Sequence, residues 1–171
     1  MREWYFIKRV LDRRERVVLS YDGESRFDPT ATANIAELVR LCGEQPGQRT
    51  LNIVDDEHPS VREIGEAVFT VLGHEAEVLT FADEPQDGLG DTPWSIPGSF
   101  IKSMDKARSE LGYEPVVSYV QGLELAIAWM TQAVAEAESR GNSWQERFPK
   151  MVERYGAGNW FPYEAEDAFV L

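Results

Sequence analysis

Residues 93–115 read Pro-Trp-Ser-Ile-Pro-Gly-Ser-Phe-Ile-Lys-Ser-Met-Asp-Lys-Ala-Arg-Ser-Glu-Leu-Gly-Tyr-Glu-Pro, and the punctuation of this stretch leaves few conformations open. Pro93 and Pro97 each hold φ and remove a backbone donor, so the first part is a loop that passes into a short extended piece. A short helix follows. Asp105 is its expected N-cap, Ala107 and Leu111 share a face, and Gly112 can take the left-handed conformation that ends a helix. Pro115 then forbids continuation.

Elsewhere helical and strand-like patterns alternate. Residues 3–13 place Tyr5, Phe6, Val10 and Leu11 on one face and Lys8, Arg9, Asp12 and Arg13 on the other, which predicts a helix. Residues 16–20 centre on Val-Val-Leu and run into the Asp22-Gly23 turn, a strand pattern. Thr32 is expected to cap a helix reaching Cys42, with Ile35, Leu38, Val39 and Cys42 as its apolar face. After the Pro46-Gly47 turn, residues 50–54 read as a strand. Ser60 and Glu63 form a capping box, in which hydroxyl and carboxylate each take a free backbone N–H. Behind it lie Val61, Ile64, Val68, Val71 and Leu72, and Gly73 closes the helix. Residues 77–81 make another strand, and 83–92 an acidic, Gly-containing loop.

A second capping box, Ser118 with Gln121, opens a long helix over 119–139. Tyr119, Leu123, Ile127, Met130, Val134 and Ala137 keep its register, and Gly141-Asn142 breaks it. Residues 143–155 read as one further helix, with Trp144, Phe148, Met151 and Val152 on a face. The ending, 160–169, is aromatic and acidic together, too apolar for a free tail and expected to dock.

The run Asp105-Lys106-Ala107-Arg108, with Glu110-Leu111-Gly112-Tyr113 and Pro115, then Ser118-Tyr119, Gly122-Leu123 and a helix passing Trp129-Met130, resembles a family signature. It is similar to the late C-terminal signature of extended short-chain dehydrogenases/reductases, the NAD-dependent nucleotide-sugar epimerases, dehydratases and reductases. Tyr21-Asp22-Gly23-Glu24 resembles the family's Gly-Asp-Gly turn, and 50–54 its Tyr-Asn-Val-Gly strand. The ending is similar to Phe-x-Tyr-x-x-Glu-Asp-x-Phe endings of reductase-like members. Where the family carries an acidic pair at the start of a helix, this chain has Thr32-Ala33-Asn34-Ile35-Ala36.

The resemblance covers nearly the whole chain but only the second half of the family's enzyme. It implies a mixed α/β fold: the substrate-binding half, lacking the Gly-rich N-terminal part of the Rossmann domain. On that reading residues 1–140 are the substrate-binding half, and 141–171 an extension docking on it or on a partner. NAD(P) is implied for the family but not expected to bind this chain alone. Gly88-Leu89-Gly90 and Gly156-Ala157-Gly158 lack the third glycine of a dinucleotide turn. No tyrosine has lysine four residues on, since Tyr5 is followed by Arg9, so the Tyr-x-x-x-Lys proton-transfer pair is missing.

By the same resemblance Arg16 and Arg26, after and beside the Gly turn, are candidates to hold a substrate diphosphate, each with a plain surface role as the alternative. The family's second arginine region ends in Gly-Asp. Here it reads Asp87-Gly88-Leu89-Gly90-Asp91, with Asp91 retained and no arginine, and bidentate arginine is hard to replace for phosphate. Trp94 is the candidate to line a substrate pocket, with core packing as the alternative. The implied function is the substrate-binding portion of an NAD(P)-dependent epimerase, dehydratase or reductase, inactive alone. It would take a sugar-like molecule and would self-associate or meet a partner supplying the dinucleotide half. The alternative is a non-catalytic binding or scaffold protein that kept the fold.

Charge and composition narrow the rest. A net charge of −13 opposes contact with phosphate backbones, which argues against nucleic acid. No apolar run approaches the roughly 20 residues of a membrane helix, and the N-terminus does not read as a signal peptide. The single cysteine, Cys42, excludes an internal disulfide and fits a reducing cytoplasm. His58 and His74 lack zinc-site spacing, and Asp55-Asp56-Glu57 reads as a turn ahead of the capping box. No Gly-x-Ser-x-Gly elbow is present.

Overall fold

In the computed structural model, which describes residues 2–155 and 160–170, the aromatic face of the first helix is the centre around which the other elements pack. That helix, α1 (Trp4–Leu11), buries Trp4, Tyr5, Phe6 and Ile7 completely. Strand β1 (Arg16–Leu19) runs from it, and a 3-10 turn at Tyr21–Gly23 carries the chain away. Helices α2 (Thr32–Glu44) and α3 (Val61–Leu72) precede strand β2 (Glu77–Thr80). Short α4 (Asp105–Leu111) and long α5 (Tyr119–Glu138) follow. The chain ends in α6 (Trp144–Arg147), α7 (Pro149–Tyr155) and α8 (Tyr163–Ala168).

Among the described residues the sheet has two strands, β1 and β2, paired in parallel from Arg16 opposite Glu77 to Leu19 opposite Thr80. Val17, Val18 and Leu19 are all buried, as expected of a parallel strand covered on both faces. Phe6 packs edge-on against Phe69 of α3 at 5.9 Å, and α3 comes this close because position 65 is glycine. A Cβ there would lie 2.7 Å from the Phe6 ring. Helix α5 adds Tyr119, Leu123, Ile127, Met130 and Val134 to the same cluster, the face its periodicity predicts. All three Ser capping boxes (Ser60, Ser118, Ser143) are formed, the last at a helix the sequence reading left uncapped.

A second, smaller cluster gathers Leu38 and Leu41 of α2, Val54, Met104, and Ala107, Leu111 and Tyr113 around α4. Here several expectations are corrected. Residues 50–54 form no strand, since no neighbouring strand lies alongside to pair with them. Side chains satisfy part of that segment instead: Thr30 Oγ1 donates to the Ile53 carbonyl, and Lys106 Nζ to that of Thr50. Helix α2 turns Asn34, Leu38 and Leu41 inward and leaves Ile35 and Val39 outside. Thr32 and Asp105 are first helical residues rather than caps. The Asp105 N–H is taken by Ser103 Oγ, and no side chain caps α2. Residues 143–155 make two helices, because Pro149 cannot continue α6.

Segment 160–169 lies on α1. Arg9, expected on a solvent face, is 1% exposed and donates to the Tyr5 and Trp160 carbonyls at 2.8 Å each and to Glu166 at 2.5 Å. Its guanidinium also sits 3.7 Å from the centre of the Tyr5 ring. Tyr163 donates to Asp12 at 2.6 Å, and Arg14 pairs with Asp167. Among the described residues no helix is long and apolar enough to cross a membrane.

Candidate functional site

Two clefts lie against the segment that links β1 to α2, and a third adjoins the first of them. The first, of about 320 Å³, is walled by Arg2, Glu3, Phe27, Asp28, Trp94, Phe100 and Lys102. The second, of about 490 Å³, shares Glu3, Pro29 and Thr30 with it and continues along the start of α2 to Tyr119, Leu123 and Leu125 of α5. The third, of about 520 Å³, shares Lys102 with the first and adds Asp55, Asp56, His58, Asp105 and Arg108.

Backbone pairing sets these walls. Phe27 and Phe100 form a parallel bridge, and the Phe100 N–H donates to the Arg26 carbonyl at 2.9 Å. This brings the proline-punctuated stretch beside the chain that leaves the 3-10 turn. Asp28 accepts the Lys102 backbone N–H at 2.7 Å and Lys102 Nζ at 3.3 Å, and Lys102 Nζ sits 3.9 Å from the Phe100 ring centre. Asn34, fully buried, joins three segments. Its Nδ2 donates to Asp55 at 2.7 Å and to the Val117 carbonyl at 3.0 Å, while its Oδ1 accepts the N–H groups of Val116 and Val117. The residue standing where the resembled family has an acid is thus a structural tie.

Of the four sequence-proposed site residues, the structure brings Trp94 to the first cleft. It is 4% exposed and nearly parallel to Phe6 at 6.1 Å, so cleft wall and core packing are one role. Arg26 lies next to that cleft, but its guanidinium turns to Glu63 at 2.9 Å and 3.4 Å and to the His58 carbonyl at 2.9 Å. Arg16 reaches Glu77 at 3.6 Å and the Asp167 carbonyl at 3.5 Å. Asp91 sits on the loop that leads to Trp94, and burial pushes its carboxyl up from the usual carboxylate range. Sequence reasoning missed Lys102, Asp28 and His58, which come together through the Phe27–Phe100 pairing on one side and the Arg26–Ser60 pairing on the other.

In the second cleft burial disfavours negative charge. Burial raises the Glu3 carboxyl, and burial followed by the neighbouring Glu3 and Asp55 charges raises the Tyr119 hydroxyl. Asp55 is raised by burial despite the bonds from Asn34 and the Ala31 N–H. Among the described residues no cluster of three His, Cys, Asp or Glu could hold a metal ion.

The Gly88–Gly90 loop does not form a dinucleotide turn. A pyrophosphate cradle needs a glycine turn between a strand and a helix N-terminus, open to the ligand. Gly90 instead meets its own protein: a Cβ there would lie 2.7 Å from the Ser20 nitrogen and from Phe81, and no helix follows the loop directly. Residues 156–158, the other glycine pair, lie outside the described residues.

No protein-family profile matches the chain. The uncharacterized protein YbjS of Escherichia coli (strain K12) is 24% identical over an alignment covering 67% of this chain and 41% of that protein. Among solved structures, UDP-glucuronic acid 4-epimerase from Bacillus cereus, in complex with NAD, superposes with a TM-score of 0.57. It is 20% identical and the match covers 77% of this chain and 39% of that one. UDP-glucose 4-epimerase of Thermotoga maritima, with UDP-glucose, gives a TM-score of 0.59 at 23% identity, covering 76% of this chain and 39% of that one. Over the matched three quarters the chain shares the fold of these epimerases, and it spans about two fifths of their length.

Proposed function

We propose that this chain is the substrate-binding portion of an NAD(P)-dependent epimerase/dehydratase-like protein, and that it has no such activity alone. The observation that carries the reading is a fold match over 77% of this chain that takes in only 39% of an NAD-bound epimerase. The unpaired strand-like segment 50–54 and the outward Ile35 and Val39, 40% and 65% exposed, support a missing neighbour on that side. A partner carrying the dinucleotide half, or a second copy of the chain, would cover that face. A sugar-like substrate would enter the cleft of Trp94, Phe100 and Lys102, where an aromatic wall and fixed polar groups lie together. Arg16, Arg26 and Asp91 remain proposed contacts of such a substrate.

Two titrations test this reading. NAD(H) and NADP(H) are expected not to bind the isolated chain tightly, and tight binding would sink it. UDP-glucose should perturb tryptophan fluorescence in the wild type and less so in Trp94→Phe. The rival, a non-catalytic binding or scaffold protein, gains support from Arg26, whose guanidinium is already engaged by Glu63. If Arg26→Ala leaves UDP-glucose affinity unchanged even when a dinucleotide half is supplied, the rival is favoured.

A further inference from the structure

The chain has two histidines, and they are held at opposite ring nitrogens. His74 Nε2 lies 2.7 Å from the Arg14 carbonyl. A carbonyl only accepts, so in the neutral ring Nε2 carries the proton. His58 Nδ1 lies 2.8 Å from Asp28 Oδ1, an ion-pair contact without hydrogen-bond alignment, and both atoms are buried with no hydrogen-bond partner elsewhere. The Asp28 side chain is 1% exposed, and its other oxygen is already occupied by Lys102. A bare Nδ1 would set its lone pair against the carboxylate oxygen at that distance, so a proton on His58 Nδ1 is the arrangement that makes the contact attractive. With Nδ1 buried and the side chain 33% exposed, the Nε2 edge is what faces the cleft of about 520 Å³.

The wall opposite suits an uncharged ligand. Asp55, Asp56 and Asp105 would repel an anion, while Arg108 is paired with Asp56 and Lys102 with Asp28. Hydroxyl groups, which both donate and accept, match such a mixed wall.

We propose that Asp28 is a positioning residue that holds His58 as its Nδ1–H tautomer, making His58 Nε2 the proton acceptor for a hydroxyl-bearing ligand in this cleft. Only the ligand's class rests on the substrate-binding reading. If the proton moves, the ligand O–H bond opens and the oxygen keeps the electron pair. The new Nε2–H then creates an imidazolium that faces the Asp28 carboxylate.

Nitrogen-15 NMR of the full chain tests this directly, because only two imidazoles report. Opposite tautomers are expected, Nδ1–H at His58 and Nε2–H at His74, and a wild-type His58 protonated at Nε2 overturns the proposal without any variant. In Asp28→Asn the side-chain amide can donate to Nδ1, so His58 should switch tautomer while His74 does not. Acylation of His58 by diethyl pyrocarbonate, which needs a bare and accessible nitrogen, should then fall, because the bare nitrogen would be the buried Nδ1, and an unchanged rate overturns the proposal. Methyl glucoside should shift the His58 signals and slow its acylation. UDP-glucose and methyl glucoside binding with His58 unmoved overturns the proposal and leaves the substrate reading standing. Failure of UDP-glucose to bind, with methyl glucoside still shifting His58, does the reverse.

Discussion

The larger hydrophobic cluster, around Trp4, Phe6 and Met130, is closed over α1 by segment 160–169, whereas the smaller one, around Leu38, Val54 and Leu111, ends at an open face. The first contains a stacked and edge-on aromatic network and a buried ion pair, Arg9 with Glu166. The second is held as much by polar ties, through Asn34 and Asp55, as by apolar contact. A core that closes on itself stabilises the chain alone; one that opens on Ile35 and Val39 is built to be covered. The clefts lie where the two meet, at the residues between β1 and α2.

That contrast sets the order of expected effects. Trp4→Ala should cost about 5 kcal/mol, the upper end for a fully buried aromatic, while Leu38→Ala, beside the open face, should cost about 2 kcal/mol. Urea denaturation of both variants measures the gap, and equal costs would mean the second cluster is as closed as the first. Arg9→Met leaves Glu166 buried without its cation and should cost about 3–5 kcal/mol, with most of it recovered in Arg9→Met/Glu166→Leu. A double variant no better than the single one would show that the cation–π contacts, rather than the pair, hold the C-terminal segment.

Smaller still is the effect of Ile35→Lys/Val39→Lys, which should change the stability of the monomer by no more than about 0.5 kcal/mol. Its signature lies elsewhere: sedimentation should show loss of self-association, or of binding to a dinucleotide half. If the wild-type chain stays monomeric at high concentration and binds no apolar dye, the open face is not an interface.

The smallest effect is one of pH. The Glu3 carboxyl is raised by burial, so the folded state holds its proton more tightly than the unfolded one. Its ionisation therefore costs stability as pH rises from about 4.3, the unfolded value, to the raised folded one. Glu3→Gln should be more stable than the wild type at pH 7 and no more stable at pH 4. Glu63 has the opposite sign. The Ser60 N–H, and then Arg26, lower its carboxyl, so its contribution is present above the unfolded value and disappears as pH falls through the folded one. Urea midpoints of Glu3→Gln and Glu63→Gln across this range should diverge in opposite directions.

Much of this was legible from residue order. The boxes at Ser60 and Ser118, the left-handed ends at Gly73 and Gly112, and the buried stripe of α5 all follow from contacts within a few residues. Trp94 was readable as a packing residue, and it is buried against Phe6. The strand expected at 50–54 failed for a reason no local pattern contains: a strand needs a neighbour, and the described chain offers none there. Val39 carried the helical spacing of a buried face, yet which side of an amphipathic helix is covered depends on what packs against it.

The sequence by itself determined most of the helices, the helix ends at Ser60, Gly73, Gly112 and Ser118, and the two short strands, because backbone hydrogen bonds and caps are satisfied among near neighbours. Tertiary structure alone decided that Arg9 is buried on Glu166, 157 positions away, that Asn34 ties α2 to the entry of α5, and that Asp28 meets His58 and Lys102. Each of those polar groups takes its meaning from desolvation, and desolvation is a property of the packed chain, set by partners that residue order does not place side by side.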